Sequence, residues 1–135
     1  MNPITLLLCL LFTTASFAQD ISGRWTTIDD NTGAKRSVVE ITVTNGIATG
    51  HIVDIHDKTK LEKVCEKCSD DRKGQRILGL PIIRNMQKDG DEWEDGTILD
   101  PENGKVYDCK MWLEDGKLMV RGYVAFFYRT QVWVR

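Results

Sequence analysis

Residues 36–55 read Arg36-Ser37-Val38-Val39-Glu40-Ile41-Thr42-Val43-Thr44-Asn45-Gly46-Ile47-Ala48-Thr49-Gly50-His51-Ile52-Val53-Asp54-Ile55, and this stretch decides the fold. Val39, Ile41 and Val43 share one face of an extended chain, while Glu40, Thr42 and Thr44 share the other. Such strict alternation belongs to a half-buried β-strand. Asn45-Gly46 is the strongest short hairpin signal, because a type I′ turn needs positive φ at both central residues. Ile47 to Ile55 therefore returns antiparallel to the strand before it.

The same grammar repeats outward. Gly23 to Ile28 reads as a first strand, and Asp29-Asp30-Asn31-Thr32-Gly33 as a turn cluster. Ile77 to Ile83 is apolar again, with Pro81 disrupting a ladder position. Asp89-Gly90-Asp91 turns the chain into a strand from Trp93 to Leu99. Asp100-Pro101-Glu102-Asn103-Gly104 is a turn in which Pro presets φ and Asn-Gly supplies left-handed positions. Lys105 to Leu113 carries Tyr107, Cys109, Met111 and Leu113 on one face. Glu114-Asp115-Gly116 turns once more, and Lys117 to Val124 and Tyr128 to Val134 finish the chain. In Lys117 to Val124 two faces compete for the interior: Leu118, Val120 and Gly122 against Met119, Arg121 and Tyr123. No stretch shows a clean 3.6-residue period. Residues 56–76 are charged, lack aromatics and hold Cys65 and Cys68, so they form one long loop with room for a helical turn.

About eight short strands joined by tight turns give sequential antiparallel neighbours. A meander of that size must dispose of two edges, and closure into a barrel removes them. The expected fold is all-β: a small antiparallel up-and-down barrel enclosing side chains or one small ligand. A sandwich with Greek-key crossovers needs longer connections than most of these.

The first 18 residues carry no Asp, Glu, Lys or Arg. Seven of the nine residues from Ile4 to Phe12 are strongly apolar, and Ser16-Phe17-Ala18 is a small-x-small exit. This predicts a secretory signal peptide over residues 1–18, cut after Ala18, although its first residues lack a basic side chain. A single domain of 117 residues, 19–135, then follows in the periplasm or outside the cell. Basic and acidic residues number 18 and 20, for a net charge of −2, which gives no electrostatic case for nucleic acid. The mature chain has no second long apolar run to span a membrane.

Several stretches together resemble the bacterial envelope family called domain of unknown function 2147. They are Gly23-x-Trp25, Asp30 to Gly33, Cys65-x-x-Cys68, Ile98-Leu99-Asp100-Pro101-x-Asn103-Gly104-Lys105-x-Tyr107, Val120-Arg121-Gly122-Tyr123 and Arg129-Thr130-Gln131-x-Trp133. The resemblance covers nearly the whole mature chain. It implies a lipocalin-like barrel in an exported protein and implies no activity. Two positions depart from the pattern: Asp95, where a second Gly is expected before Gly96, and Tyr128, where a small residue is expected before Arg129.

In lipocalin-like barrels, an Arg from a late strand closes the base by stacking on the Trp of the first strand. Trp25 is that Trp, and Arg121 and Arg129 are the candidates for the Arg. A guanidinium suits the role because it covers a ring and still donates to carbonyls. Cys65 and Cys68 admit three readings. An oxidising compartment favours a local disulfide, worth about 2 kcal/mol for so short a loop. A redox pair wants a helix N-terminus in a βαβ context, which is missing. A zinc site wants four ligands, for which Cys109 and His51 or His56 would be needed. Cys109, however, sits on a core-like strand face, and the two His are an odd number of residues apart across a strand end. The acidic turns lack the spacing of a twelve-residue calcium loop. No Ser–His–acid grouping can be assembled, so no catalytic residue, metal ligand or cofactor site is assigned.

The expectation is a non-enzymatic barrel that binds a small apolar or amphipathic ligand, or an envelope partner, at its mouth. The alternatives are an interaction module with a plugged interior and a thiol-redox or metal-binding protein using the Cys pair. Tyr123, Phe126, Phe127 and Trp133 are the candidate ligand or partner surface. Phe126-Phe127 lies between the last two strands, where exposed aromatics need a lid role or a partner.

Overall fold

The computed structural model describes residues 20–135; the expected signal peptide lies outside the described residues. Eight strands follow one another: β1 (Gly23–Ile28), β2 (Lys35–Thr44), β3 (Ile47–Ile55), β4 (Pro81–Asp89), β5 (Glu92–Asp100), β6 (Lys105–Glu114), β7 (Lys117–Val124) and β8 (Phe127–Trp133). They form one sheet in sequence order, and each consecutive pair is antiparallel. The fold is the expected all-β up-and-down barrel. A single 3₁₀ turn, Lys58–Lys60, sits in the long loop between β3 and β4. Among the described residues no helix is long and apolar enough to cross a membrane.

The turn chemistry acts as the sequence suggests. Asn45 and Gly46 take φ of 52° and 76°, and Asp115 and Gly116 take 50° and 75°. Positive φ at both central residues matches the right-handed twist of the flanking strands. One boundary differs from expectation. The fourth strand begins at Pro81 rather than Ile77, because Ile77 to Leu80 folds back on itself through a Leu80 N–H to Ile77 carbonyl bond of 3.0 Å. Pro81 sits where a missing N–H is tolerated, at the strand's first residue. The alternation in β4 is hidden from the sequence because Asn85 bulges, with φ of 59°.

Closure is incomplete. β1 and β8 meet through one bridge, in which Thr26 and Val134 exchange N–H···O bonds of 2.6 and 3.0 Å. From there to the mouth the two strands share no backbone bond. The loops at residues 29–34, 56–80, 101–104 and 125–126 all lie at this mouth end. The tight turns at 45–46, 90–91 and 115–116 lie at the other end with the chain's Arg135 terminus.

Candidate functional site

The two halves of the barrel interior differ. Toward the base, Trp25, Ile41, Ala48, Met86, Met111 and Leu118 are fully buried and fill the space. Strand alternation sends Leu118, Val120 and Gly122 of β7 inward and Met119, Arg121 and Tyr123 outward, which resolves the competition between the two faces. Gly96 lets β4 and β5 approach closely, since a side chain there would run into Met86 and the Arg84 carbonyl.

Toward the mouth the side chains shrink or withdraw, and a cavity of about 480 Å³ opens. Its walls are Ile52 and Ile55 of β3, Ile82 of β4, Leu99 of β5 and Val120 of β7, with Trp133 as the floor. Such size and apolarity are those of a small-molecule pocket. Polar groups in the cavity wall are internally paired: Thr27 and Ser37 hydroxyls lie 2.7 Å apart, and Trp133 Nε1 donates to Gln131 Oε1 at 3.1 Å. Tyr107 also lines the cavity, and its hydroxyl accepts from Asn103 Nδ2 at 3.1 Å.

The long loop caps one side of the mouth. Lys60, Lys63 and Ile77 reach the cavity from it. Its shape is held by N–H bonds from Cys65 to the Gln75 carbonyl, Gly74 to the Cys65 carbonyl and Ile77 to the Lys63 carbonyl, 2.8 to 2.9 Å long. Cys65 and Cys68 form a disulfide with Cα atoms 5.5 Å apart, and both are buried. This loop rests on the β5–β6 turn: a side chain at Gly104, where φ is +72°, would collide with the Lys67 carbonyl. Arg72 is 2 % exposed, donates from Nη2 to Asp70 Oδ2 at 2.6 Å and from Nη1 to the Pro81 carbonyl at 2.8 Å. The guanidinium and the backbone N–H of Arg72, both donating to the Asp70 carboxylate, hold its pKa down at about 2.

The base is closed by a different Arg from the two expected. Trp25 is 0 % exposed, and its indole Nε1 donates to the Ile21 carbonyl at 2.8 Å. Arg135 covers the ring, with its guanidinium carbon 4.1 Å from the ring centroid, and donates to the Ser22 and Asp20 carbonyls at 3.2 and 3.1 Å. Arg121 fails as the closing residue because it points outward. It lies 4.8 Å from the Trp112 ring and 4.2 Å from the Tyr128 ring, and its Nε donates to Thr130 Oγ1 at 2.8 Å. Arg129 fails because β8 runs from mouth to base and Arg129 is near the mouth, where it pairs with Asp30 at 2.7 Å. The signal for Arg135 was present in the sequence: it lies two residues beyond the inward-facing Trp133, on the same strand parity.

The candidate aromatic surface divides as well. Trp133 is the cavity floor, and Phe127 lines the mouth while remaining 78 % exposed. Phe126 is 99 % exposed at the β7–β8 tip. Tyr123 does not line the cavity; it faces outward, its ring centroid 6.1 Å from that of Tyr128. The atypical Tyr128 thus completes an outer aromatic–Arg stack. The other atypical residue, Asp95, has φ of 64°, the left-handed region a Gly would adopt more readily.

His51 and His56 are apart: His51 pairs with Glu40 in the β2–β3 ladder, while His56 borders the mouth. Among the described residues no three His, Cys, Asp or Glu gather in a metal-holding group. Cys109 is a free, buried thiol, and burial pushes its pKa up to about 12, which makes it a poor nucleophile. The sequence reading overlooked the lysines and Gln131 of the mouth half, because a rim contributed by separate loops has no linear pattern.

An eight-stranded meander with a Trp–Arg base and a hollow mouth defines a lipocalin-like barrel. The structure is similar to "Protein HP1028 from the human pathogen Helicobacter pylori belongs to the lipocalin family", with a TM-score of 0.74 at 16 % identity over 86 % of this chain and 82 % of that one. At that identity the likeness concerns the fold alone. No curated protein matches the chain. The family model described as "Uncharacterized protein conserved in bacteria (DUF2147)" matches residues 23–135, and the chain belongs to that family.

Proposed function

We propose that this is an exported, non-enzymatic binding protein that holds a small apolar or amphipathic molecule in the mouth half of its barrel. The cavity of about 480 Å³, walled by Ile52, Ile82, Leu99, Val120 and Trp133, carries the reading. A cavity of this size gives an apolar tail van der Waals contact with several walls at once. Export is proposed from the apolar leader and its small-x-small exit alone.

Native mass spectrometry of protein taken from an exporting host tests both parts. Extra mass lost on denaturing supports a bound molecule. A chain beginning at Gln19, two hydrogens light for one disulfide, supports export. A full-length chain would remove the export reading. Failure of the purified, unliganded barrel to bind the neutral probe N-phenyl-1-naphthylamine would remove the ligand reading.

A second reading, contact with an envelope protein, is favoured by one observation. Val124, Phe126, Phe127 and Tyr128 are all exposed around one hairpin tip. Crosslinking from a photoreactive residue at position 126 in the native envelope would reveal such a partner.

A further inference from the structure

Eight charged side chains border the mouth: the cations Lys35, Arg36, Lys60, Lys63 and Arg129, and the acids Asp57, Asp100 and Glu102. Most are already engaged. Arg36 donates to Glu102 across the mouth and lies 3.9 Å from Asp29, and Arg129 pairs with Asp30. Asp57 caps the 3₁₀ turn, accepting from the Thr59 N–H and hydroxyl at 3.1 and 2.7 Å. Asp100 accepts from the Glu102 N–H at 2.9 Å. That leaves Lys35, Lys60 and Lys63, which have no ion pair among the described residues.

These three are not random surface lysines. They border an apolar cavity, and their backbones are fixed. Lys35 opens β2, and the Lys63 N–H donates to the Lys60 carbonyl at 3.1 Å. The chain as a whole carries more acid than base, yet cations outnumber acids around this cavity. A lysine stem lies along apolar surface while its ammonium stays in water, so the three can line the mouth without closing it. No acid borders the cavity apart from Asp57, Asp100 and Glu102. The wall hydroxyls of Thr27 and Ser37 satisfy each other. A polar head therefore finds freer partners in these three ammonium groups than in the paired wall hydroxyls.

We propose that the ligand is an anionic amphiphile: one apolar tail against Ile52, Leu99, Val120 and Trp133, and a carboxylate or phosphate head at Lys35, Lys60 and Lys63. This rests on the cavity reading above and adds the charge and orientation of the ligand. Charge-assisted bonds from ammonium to a carboxylate or phosphate supply the selectivity.

The test is displacement of N-phenyl-1-naphthylamine by four molecules of one chain length: dodecanoate, monododecyl phosphate, dodecanol and dodecyltrimethylammonium, each below its micelle concentration. At low salt the two anions should displace the probe about ten-fold more tightly than dodecanol, and the cation less well than dodecanol. Added salt should shrink the difference. The triple variant Lys35→Gln/Lys60→Gln/Lys63→Gln, altered only at exposed side chains, should bring the anions to the affinity that dodecanol shows on the same variant. A stronger response to the phosphate would point to a lipid phosphate head, and to dodecanoate a free fatty acid; either supports the proposal. Equal affinity for dodecanol and the anions would overturn it while the cavity reading stands. So would an anion preference that survives the triple variant. No binding of probe or chain by the folded protein would overturn the cavity reading itself.

Discussion

The base and the mouth are opposite ends of the same eight strands, yet one is sealed and the other hollow. At the base, two-residue turns bring the strand ends together, and large side chains meet beneath Trp25 and Arg135. At the mouth, three of the four connections are longer, and the inward positions on β2 and β7 are Ser37 and Gly122. The seam between β1 and β8 follows the same division: bonded at Thr26 and Val134, open above. In this barrel the large buried side chains gather in the base half, and the cavity lies in the mouth half.

The sharpest way to break this contrast is to empty the sealed end. Trp25→Ala removes a fully buried ring and leaves Arg135 with nothing to cover, and should cost about 3–5 kcal/mol in urea unfolding. Next in size is the prop of the mouth. Cys65→Ala/Cys68→Ala should cost about 2 kcal/mol in the same measurement. It should leave the base intact, with the emission of the buried Trp25 and Trp133 indoles unchanged.

A smaller effect is expected at the Asp70–Arg72 pair, whose carboxylate side chain is 36 % exposed and partly screened. The folded-state pKa of Asp70 is lowered from 3.8 to about 2. Its contribution is therefore complete above pH 3.8 and lost as pH falls through about 2. Asp70→Asn should lower stability at neutral pH, and the gap to wild type should close as unfolding is measured toward pH 2.

The two arginines at opposite ends sharpen the comparison further. Arg135→Gln, which loses a ring contact and two carbonyl bonds, should cost about 1–2 kcal/mol. Arg129→Gln, which loses a mouth ion pair of a 66 % exposed side chain, should cost less than about 1 kcal/mol. Equal losses would mean that the base is not specially closed. The smallest effect lies between the ends. Asp95→Gly should raise stability by up to about 1 kcal/mol, because it relieves a left-handed backbone at φ of 64°. A loss there would mean that the Asp95 side chain, rather than the backbone, holds the bulge.

Much of this was legible in the sequence, for reasons that differ by element. The hairpins at Asn45-Gly46 and Asp115-Gly116 were readable because positive φ is a local demand that few residues meet. The strands β2 and β6 were readable because one face is buried and the other wet. β4 was misjudged at its start, since the apolar run Ile77 to Leu80 turns back on itself before the ladder begins at Pro81, and the bulge at Asn85 hides the alternation beyond it. Arg121 and Arg129 were plausible closing residues until strand direction and parity were known. The mouth was the least legible part. Lys35, Lys60 and Lys63 come from β2 and the long loop, and only folding sets them around one opening.

By itself, then, the sequence determined the eight-stranded all-β barrel and the single long Cys-containing loop. These follow from residue-by-residue alternation and turn preference, which are local. The tertiary structure decided which half of the barrel is filled and which charges are left without partners. Those depend on the sum of side-chain volumes and ion pairs contributed by strands far apart in the chain, and no linear pattern encodes that sum.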